Sequence, residues 1–316
     1  MRHLGALLVV VAVVGCMVTP SAAPTSQASA PPGGTASAAP PASPSGSGAG
    51  TAGATDPRCA DESDECVLAH LRVAVELTEG IPTEIDVDEP PSFSGGQRTS
   101  DWIVYLADTV SIVNGFWSRA FAAGNIPYIH VYYVLVDSGQ PGQRSNCVDD
   151  RGAQWIANAN GGPFYCGIGG QAFGRWFESG TVYIGVPLLV SEASRVNPRN
   201  FDFAVVAMVA HEMGHHVQRV LLNRSLTSST SATWGELSAD CLSGVFAHNA
   251  YFGRAGQLTD TDFSEATQFL WNWGSDLPYY YSGDPHGSRQ QRVDAFKQGY
   301  NTGNTSQCLS TYWPTF

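Results

Sequence analysis

The sequence predicts an α+β domain in which a few strands pack on a helical core. Two observations carry that expectation. Runs that read as strands come first and segments of helical period dominate the later part of the chain. One of those helices carries the pattern Val209-Ala-His211-Glu212-Met-Gly-His215-His216-Val-Gln218.

In chain order, the first helix can be capped by Ser100 or Asp101 and buries the stripe Ile103, Leu106, Val110, Val113, Trp117 and Phe121. Residues 127–136 (PYIHVYYVLV) are aromatic and β-branched, hence a strand. Residues 146–180 are rich in glycine and polar side chains and read as loops held by a disulfide. A second strand is expected over 181–186 (TVYIGV). In the helix carrying His211, the residues Phe203, Val206, Ala210, Met213, Val217 and Val220 recur in steps of three and four, with Asn200 or Asp202 as cap. This stripe should face the core and leave His211, Glu212 and His215 at its edge. A polar loop over 223–231 leads to a helix over about 234–251, and two more follow over 262–273 and 288–300. Gly274 and Gly303 stand where those two should stop.

The N-terminus reads as an export signal. Arg2 and His3 precede an apolar run from Leu4 to Gly15, too short to span a bilayer as a mature helix. Its end, Val13-Val14-Gly15-Cys16, resembles a bacterial lipobox, which makes Cys16 the lipidated first residue of an exported, membrane-anchored lipoprotein. An ordinary secretory signal cleaved after Ala23 is the alternative. The chain then divides into a signal peptide with lipobox (1–16), an Ala/Ser/Pro/Gly/Thr-rich linker expected to stay disordered (17–57), and one folded domain (58–316). Of the 7 cysteines, setting Cys16 aside leaves Cys59, Cys66, Cys147, Cys166, Cys241 and Cys308. An even number in an exported domain suggests disulfides; nearness in sequence suggests Cys59–Cys66 and Cys147–Cys166, which leaves Cys241–Cys308. The net charge of -12 argues against nucleic acid or an anionic membrane surface as partner.

Two histidines four apart on a helix point the same way and can offer two imidazole nitrogens to one metal ion. Glu212 lies about 100° round the helix from His211, placed to take a proton from water at the metal rather than to ligate it. With only 8 histidines in 316 residues, the clustering points to a metallohydrolase. His216 points further round and is expected to support the site or the fold. Catalytic zinc usually has three protein ligands and one open position. Glu236 is the candidate third ligand, and Asp240, one turn on, can accept the free N–H of a ligating histidine. Thr233 and Glu236 also have the spacing of a capping box, so on spacing alone Glu236 is equally a helix cap.

The segments His211–Gln218, Glu236-Leu-Ser-Ala-Asp-Cys-Leu-Ser-Gly244 and His286-Gly-Ser-Arg-Gln-Gln-Arg292 resemble the bacterial "putative neutral zinc metallopeptidase" family. Gly162-Pro-Phe-Tyr-Cys166 and Phe296-Lys-Gln-Gly-Tyr300 to Ser306-Gln-Cys308 fit the same pattern in the same order. The resemblance implies a zincin-like metallopeptidase domain with Zn2+ held by His211, His215 and Glu236 and with Glu212 as base. The wider gluzincin plan implies that Asp240 orients a histidine. Two features depart from the pattern: 167–180 is longer, and Gly185 stands where the family tends to have an acid.

His286 is a candidate donor to the oxyanion of a tetrahedral intermediate, or else a turn residue before the last helix. Arg292 reads better as part of a structural ion pair than as a binder of a substrate carboxylate. Tyr279, Tyr280 and Tyr281 read as packing, His248 as too far from the metal, and His70 and His130 as structural or solvated. Together these readings predict an exported zinc-dependent peptidase acting on peptides or proteins of the cell envelope. The strand over 181–186 is expected to pair with an extended substrate. A zinc amidase acting on cell-wall peptides is one alternative. A non-catalytic zinc-stabilised envelope lipoprotein that binds a partner is another, opposed by Glu212, because a structural site needs no base.

Overall fold

β-Branched and aromatic residues build the central sheet. The computed structural model describes residues 64–85, 99–148, 152–167, 171–172, 175–176, 180–198, 201–222, 229–252, 259–276 and 286–312. The expected signal segment, Cys16, the 17–57 linker, Cys59 with its expected bond to Cys66, and Tyr279 to Tyr281 lie outside what is described. Strand β1 (Tyr132–Val136) runs parallel to β7 (Thr181–Gly185), with Tyr132 opposite Thr181 and Val136 opposite Gly185. On the other side of β7 lies antiparallel β4 (Phe164–Cys166), so the order is β1-β7-β4. All five residues of β7 are buried, which is why it reads as an unbroken apolar run rather than an alternation.

The stretch expected to be loops, 146–180, instead holds several short strands among its described residues. Besides β4 it holds β3 (Gln154–Ala157), which pairs antiparallel with β2 (Gln143–Val148), and the two-residue strands β5 (Gln171–Ala172) and β6 (Arg175–Trp176). Strands of two to six residues are too short to show a period, and their pairing is long-range. The expected Cys147–Cys166 disulfide ties this region together.

The helices are α1 (Asp64–Glu79), α2 (Thr99–Ala123), α3 (Val186–Val196), α4 (Asp202–Leu222), α5 (Ser229–Phe252), α6 (Asp260–Trp273), α7 (Arg289–Thr302) and α8 (Thr305–Tyr312). Sequence periodicity finds α2, α4, α5, α6 and α7 but not α1, α3 or α8. Helix α2 begins at Thr99, so Ser100 and Asp101 lie inside its first turn rather than at its cap. Helix α6 is capped by Thr259 with Asp262, and α7 by Ser288 with Gln291, both as reciprocal capping boxes. Gly274 and Gly303 are their C-caps, as expected. Gly185 precedes α3 directly, and a Cβ there would collide with the carbonyl oxygens of Asn158 and Gly161. Close backbone approach, not a missing acid, accounts for that glycine.

The core sits around α4. Phe203, Val206, Ala210, Met213 and Val217 are buried as expected, but so are Val205, Ala207, Met208 and Val209. The helix is therefore enclosed on nearly every side by α2, α5, α6 and the sheet, not merely along a stripe. His211 and Glu212 are accordingly buried rather than at an edge. The architecture is mixed and helix-dominated, an α+β fold.

Candidate metal centre

Helices α4 and α5 pack against each other and bring two histidines to one carboxylate. His211 Nε2 lies 3.2 Å from Glu236 Oε2, and His215 Nε2 lies 3.4 Å from Glu236 Oε1. One potential ligand atom from each of these three side chains lies within 4.8 Å of the others. Because α5 starts at Ser229, Thr233 is inside the helix and cannot cap it. The capping-box alternative for Glu236 therefore fails, and its carboxylate points at the histidines instead.

Each histidine has its other ring nitrogen occupied. His211 Nδ1 is 2.7 Å from Asp240 Oδ1, so its proton is donated to that carboxylate. His215 Nδ1 is 3.3 Å from Gln218 Oε1, and Gln218 Nε2 donates to the Gly235 carbonyl at 2.7 Å. Both Nε2 atoms are thus left as lone pairs facing a carboxylate, and Glu236 Oε2 is buried without a hydrogen-bond partner. Lone pairs converging on lone pairs repel unless a cation stands between them. A donor set of two imidazoles and a carboxylate suits zinc, so the residues present fit the ion.

Without an ion between these groups, a proton on the His211 imidazole supplies the positive charge that the two carboxylates call for. Burial lowers the basicity of His211, but Asp240 and Glu236 outweigh it and push the pKa up to about 10. Burial would raise the Glu236 carboxyl, yet His215 and His211 hold it well below the usual carboxylate range. Burial also raises Glu212, with the two histidines opposing that shift.

Behind His211 lies an element that sequence reading only half identified. Arg292 of α7 has no exposure, and its Nε and Nη2 donate to Asp240 Oδ2 and Oδ1, each at 2.8 Å. The expected structural ion pair is real, and its partner is the very carboxylate that orients His211. Gln218 is a residue the sequence reading missed. Its signal was available, since it lies three residues after His215 on the same helix face.

The remaining histidines have other work. His216 Nε2 donates to the Ile129 carbonyl at 2.6 Å, and its Nδ1 sits 3.1 Å from the Tyr165 hydroxyl. Burial lowers its pKa to about 4, so it is a neutral structural tie. His248 Nδ1 lies 2.6 Å from the Tyr300 carbonyl, joining α5 to α7. His130 is exposed beside Asn114, and His70 lies on α1. His286 does reach the site: it lines the same cleft as Glu212 and weighs on its charge.

That cleft, of about 270 Å³, opens over the histidines and Glu212. Trp155, Phe164, Tyr165 and Trp273 supply aromatic wall, and Arg219 and His286 supply polar groups. The strand expected to receive substrate, over 181–186, cannot do so. β7 is central and both its edges are already paired, to β1 and β4. The strand at the cleft is β4, whose Phe164 and Tyr165 line it.

An α+β domain whose central buried helix presents two histidines to a carboxylate from the next helix defines a class of protein with a candidate divalent-metal site. The chain belongs to the family described as "Putative neutral zinc metallopeptidase", which it matches over residues 92–311. The description of that family names zinc and peptidase activity. The chain is 31% identical over 163 residues to "Uncharacterized protein YpfJ" of Escherichia coli K12, covering 45% of this chain and 56% of the relative. It is 31% identical over 173 residues to "Uncharacterized protein Rv2575" of Mycobacterium tuberculosis H37Rv, covering 48% and 56%. The chain thus spans about half the length of the curated relatives it matches. No solved structure matches the chain.

Proposed function

We propose that this chain is an exported zinc peptidase of zincin-like fold that hydrolyses peptide bonds in the cell envelope. The observation that carries the reading is the convergence of His211, His215 and Glu236 within 4.8 Å, beside Glu212, in an aromatic cleft. His211, His215 and Glu236 are the zinc ligands, and Asp240 fixes the orientation of His211. Zinc, when bound, polarises the scissile carbonyl and makes water at the site more acidic.

Glu212 accepts the proton of the attacking water and then delivers it to the leaving amine. Its buried, proton-retaining environment suits both halves of that task. His286, at the cleft surface, donates to the oxygen that gains charge in the tetrahedral intermediate. An extended substrate pairs with β4. Export and a lipid anchor at Cys16 follow from the N-terminal sequence pattern. Among the described residues no helix is long and apolar enough to cross a membrane.

The test is to purify the full chain from an oxidising compartment, measure bound zinc, and digest a mixed peptide library beside Glu212→Gln. One zinc per chain in both proteins is expected, with cleavage at least about a hundredfold slower in Glu212→Gln. Zinc in both with cleavage by neither would move the assignment to a cell-wall amidase or a partner-binding lipoprotein. Folded protein that takes up no zinc would end it.

A further inference from the structure

Arg219 stands on α4 four residues beyond His215 and eight beyond His211, so it continues the face that carries both histidines. It is half-buried and lines the cleft. Its charge is felt by two neighbours: it opposes the upward shift that burial imposes on the Tyr165 phenol, and it adds to the lowering at His216. Among the described residues it has no counter-charge: no carboxylate there forms an ion pair with Arg219. The other arginine at the cleft, Arg292, is held by both oxygens of Asp240. In a chain with 28 acidic and 16 basic residues, an arginine beside the reaction centre that no described carboxylate pairs is conspicuous.

The surroundings make that charge effective. The aromatic rings of Phe164, Tyr165 and Trp155 line the same cleft, and a guanidinium–carboxylate contact strengthens where apolar surface lowers the local dielectric. Four helical residues set Arg219 about 6 Å along the axis from His215. An extended peptide advances about 3.3 Å per residue, so the reach corresponds to a position within about three residues of the scissile bond.

We propose that Arg219 determines specificity by receiving a carboxylate of the substrate, so that this cleft selects peptides carrying a negative group close to the bond it cuts. This rests on the peptidase reading above. The carboxylate comes either from an acidic side chain or from the end of the peptide chain; the contact chemistry is the same.

The experiment uses two sets of zinc-loaded full-length protein. Wild type, Arg219→Gln, Arg219→Lys and Arg219→Glu are assayed for cleavage, and the same Arg219 changes are made in Glu212→Gln for equilibrium binding without turnover. The probes are peptide pairs that differ only in Glu against Gln at each position, or in a free against an amidated C-terminus. The expected result is a preference of about ten- to hundredfold for the carboxylate member. That preference should be lost in Arg219→Gln, retained in part in Arg219→Lys, and turned toward Lys-containing peptides in Arg219→Glu. A merely structural Arg219 would not produce the inversion. Preference confined to the Glu/Gln pairs identifies an acidic side chain, and preference confined to the acid/amide pairs identifies the chain terminus. A ratio near one in wild type, or one that survives Arg219→Gln, overturns the proposal. Carboxylate-selective binding without cleavage would sustain Arg219 while removing the peptidase reading, and neither binding nor cleavage would remove both.

Discussion

Asp240 has no solvent exposure yet stays ionised: burial would raise its carboxyl, and the guanidinium of Arg292 together with His211 pulls it below its ordinary value. One oxygen accepts from Arg292 and His211, the other from Arg292 alone. Asp240→Asn keeps the shape but removes the charge that both donors require. We expect the apo protein to lose about 3–5 kcal/mol, since Arg292 is left as a buried cation without its counter-charge, and zinc affinity to fall about 10–100-fold. Urea unfolding of the apo protein and competition with a chelator measure the two effects separately. A different acid governs pH. Burial, aided by Asp202 and Asp262 and opposed by Asn197, raises the Glu265 pKa from 4.5 to about 7. Between those values the folded chain binds more protons at this site than the unfolded chain, so stability falls as pH rises from 4.5 to 7. Below 4.5 both states hold the proton and the site is neutral to folding. Glu265→Gln should therefore raise Tm at pH 8 by roughly 7–14 °C at most and leave it nearly unchanged at or below pH 4.5, read by thermal scans across pH.

Helices α5 and α7 touch backbone to backbone, and two glycines permit it. A Cβ on Gly299 would strike the Cys241 carbonyl oxygen, and one on Gly244 would strike the Phe296 carbonyl oxygen. Gly299→Ala should cost about 3 kcal/mol or more in urea unfolding, because the obstacle is main chain and cannot rotate away. It should also weaken zinc binding, since α5 carries Glu236 and Asp240 and α7 carries Arg292. Length alone does not decide which elements are legible in sequence: α2, α4, α5, α6 and α7 show their period, whereas α1 is missed at 16 residues and β5 and β6 are two residues each. Helix α3 escaped because it starts directly after β7 with no loop, although Pro187 in its first turn was a usable signal. The two histidines and Glu212 could be read from one helix. Glu236 could not be settled by spacing, because ligand and cap differ only in where α5 begins. The Arg292–Asp240 pair joins residues 52 apart, so its energetic role belongs to tertiary packing alone.

At the scale of the whole molecule, the two observed disulfides close loops of different length and serve different ends. Cys241–Cys308 spans 67 residues, with Cys241 next to Asp240 on α5 and Cys308 on α8. It anchors α8, whose Leu309 packs with Leu71 and Ala74 of α1, to the helix that supplies Glu236. Cys147–Cys166 spans 19 residues, and Cys147 lines the cleft. Loop-closure entropy predicts that removing the longer bridge costs about 4 kcal/mol and the shorter about 3 kcal/mol. The paired variants Cys241→Ser/Cys308→Ser and Cys147→Ser/Cys166→Ser should therefore both unfold at lower urea concentration, the first the lower. The catalytic consequences should run in the opposite order. Freeing 147 from 166 loosens β2 and β4 at the substrate wall, so KM should rise there while zinc remains bound. Freeing 241 from 308 loosens the support of a ligand helix, so its effect should appear as zinc loss on warming, with KM little changed at low temperature. If instead both variants lost zinc together at one temperature, cleft wall and metal helix would be one cooperative unit, and the separation of binding from metal support would be wrong.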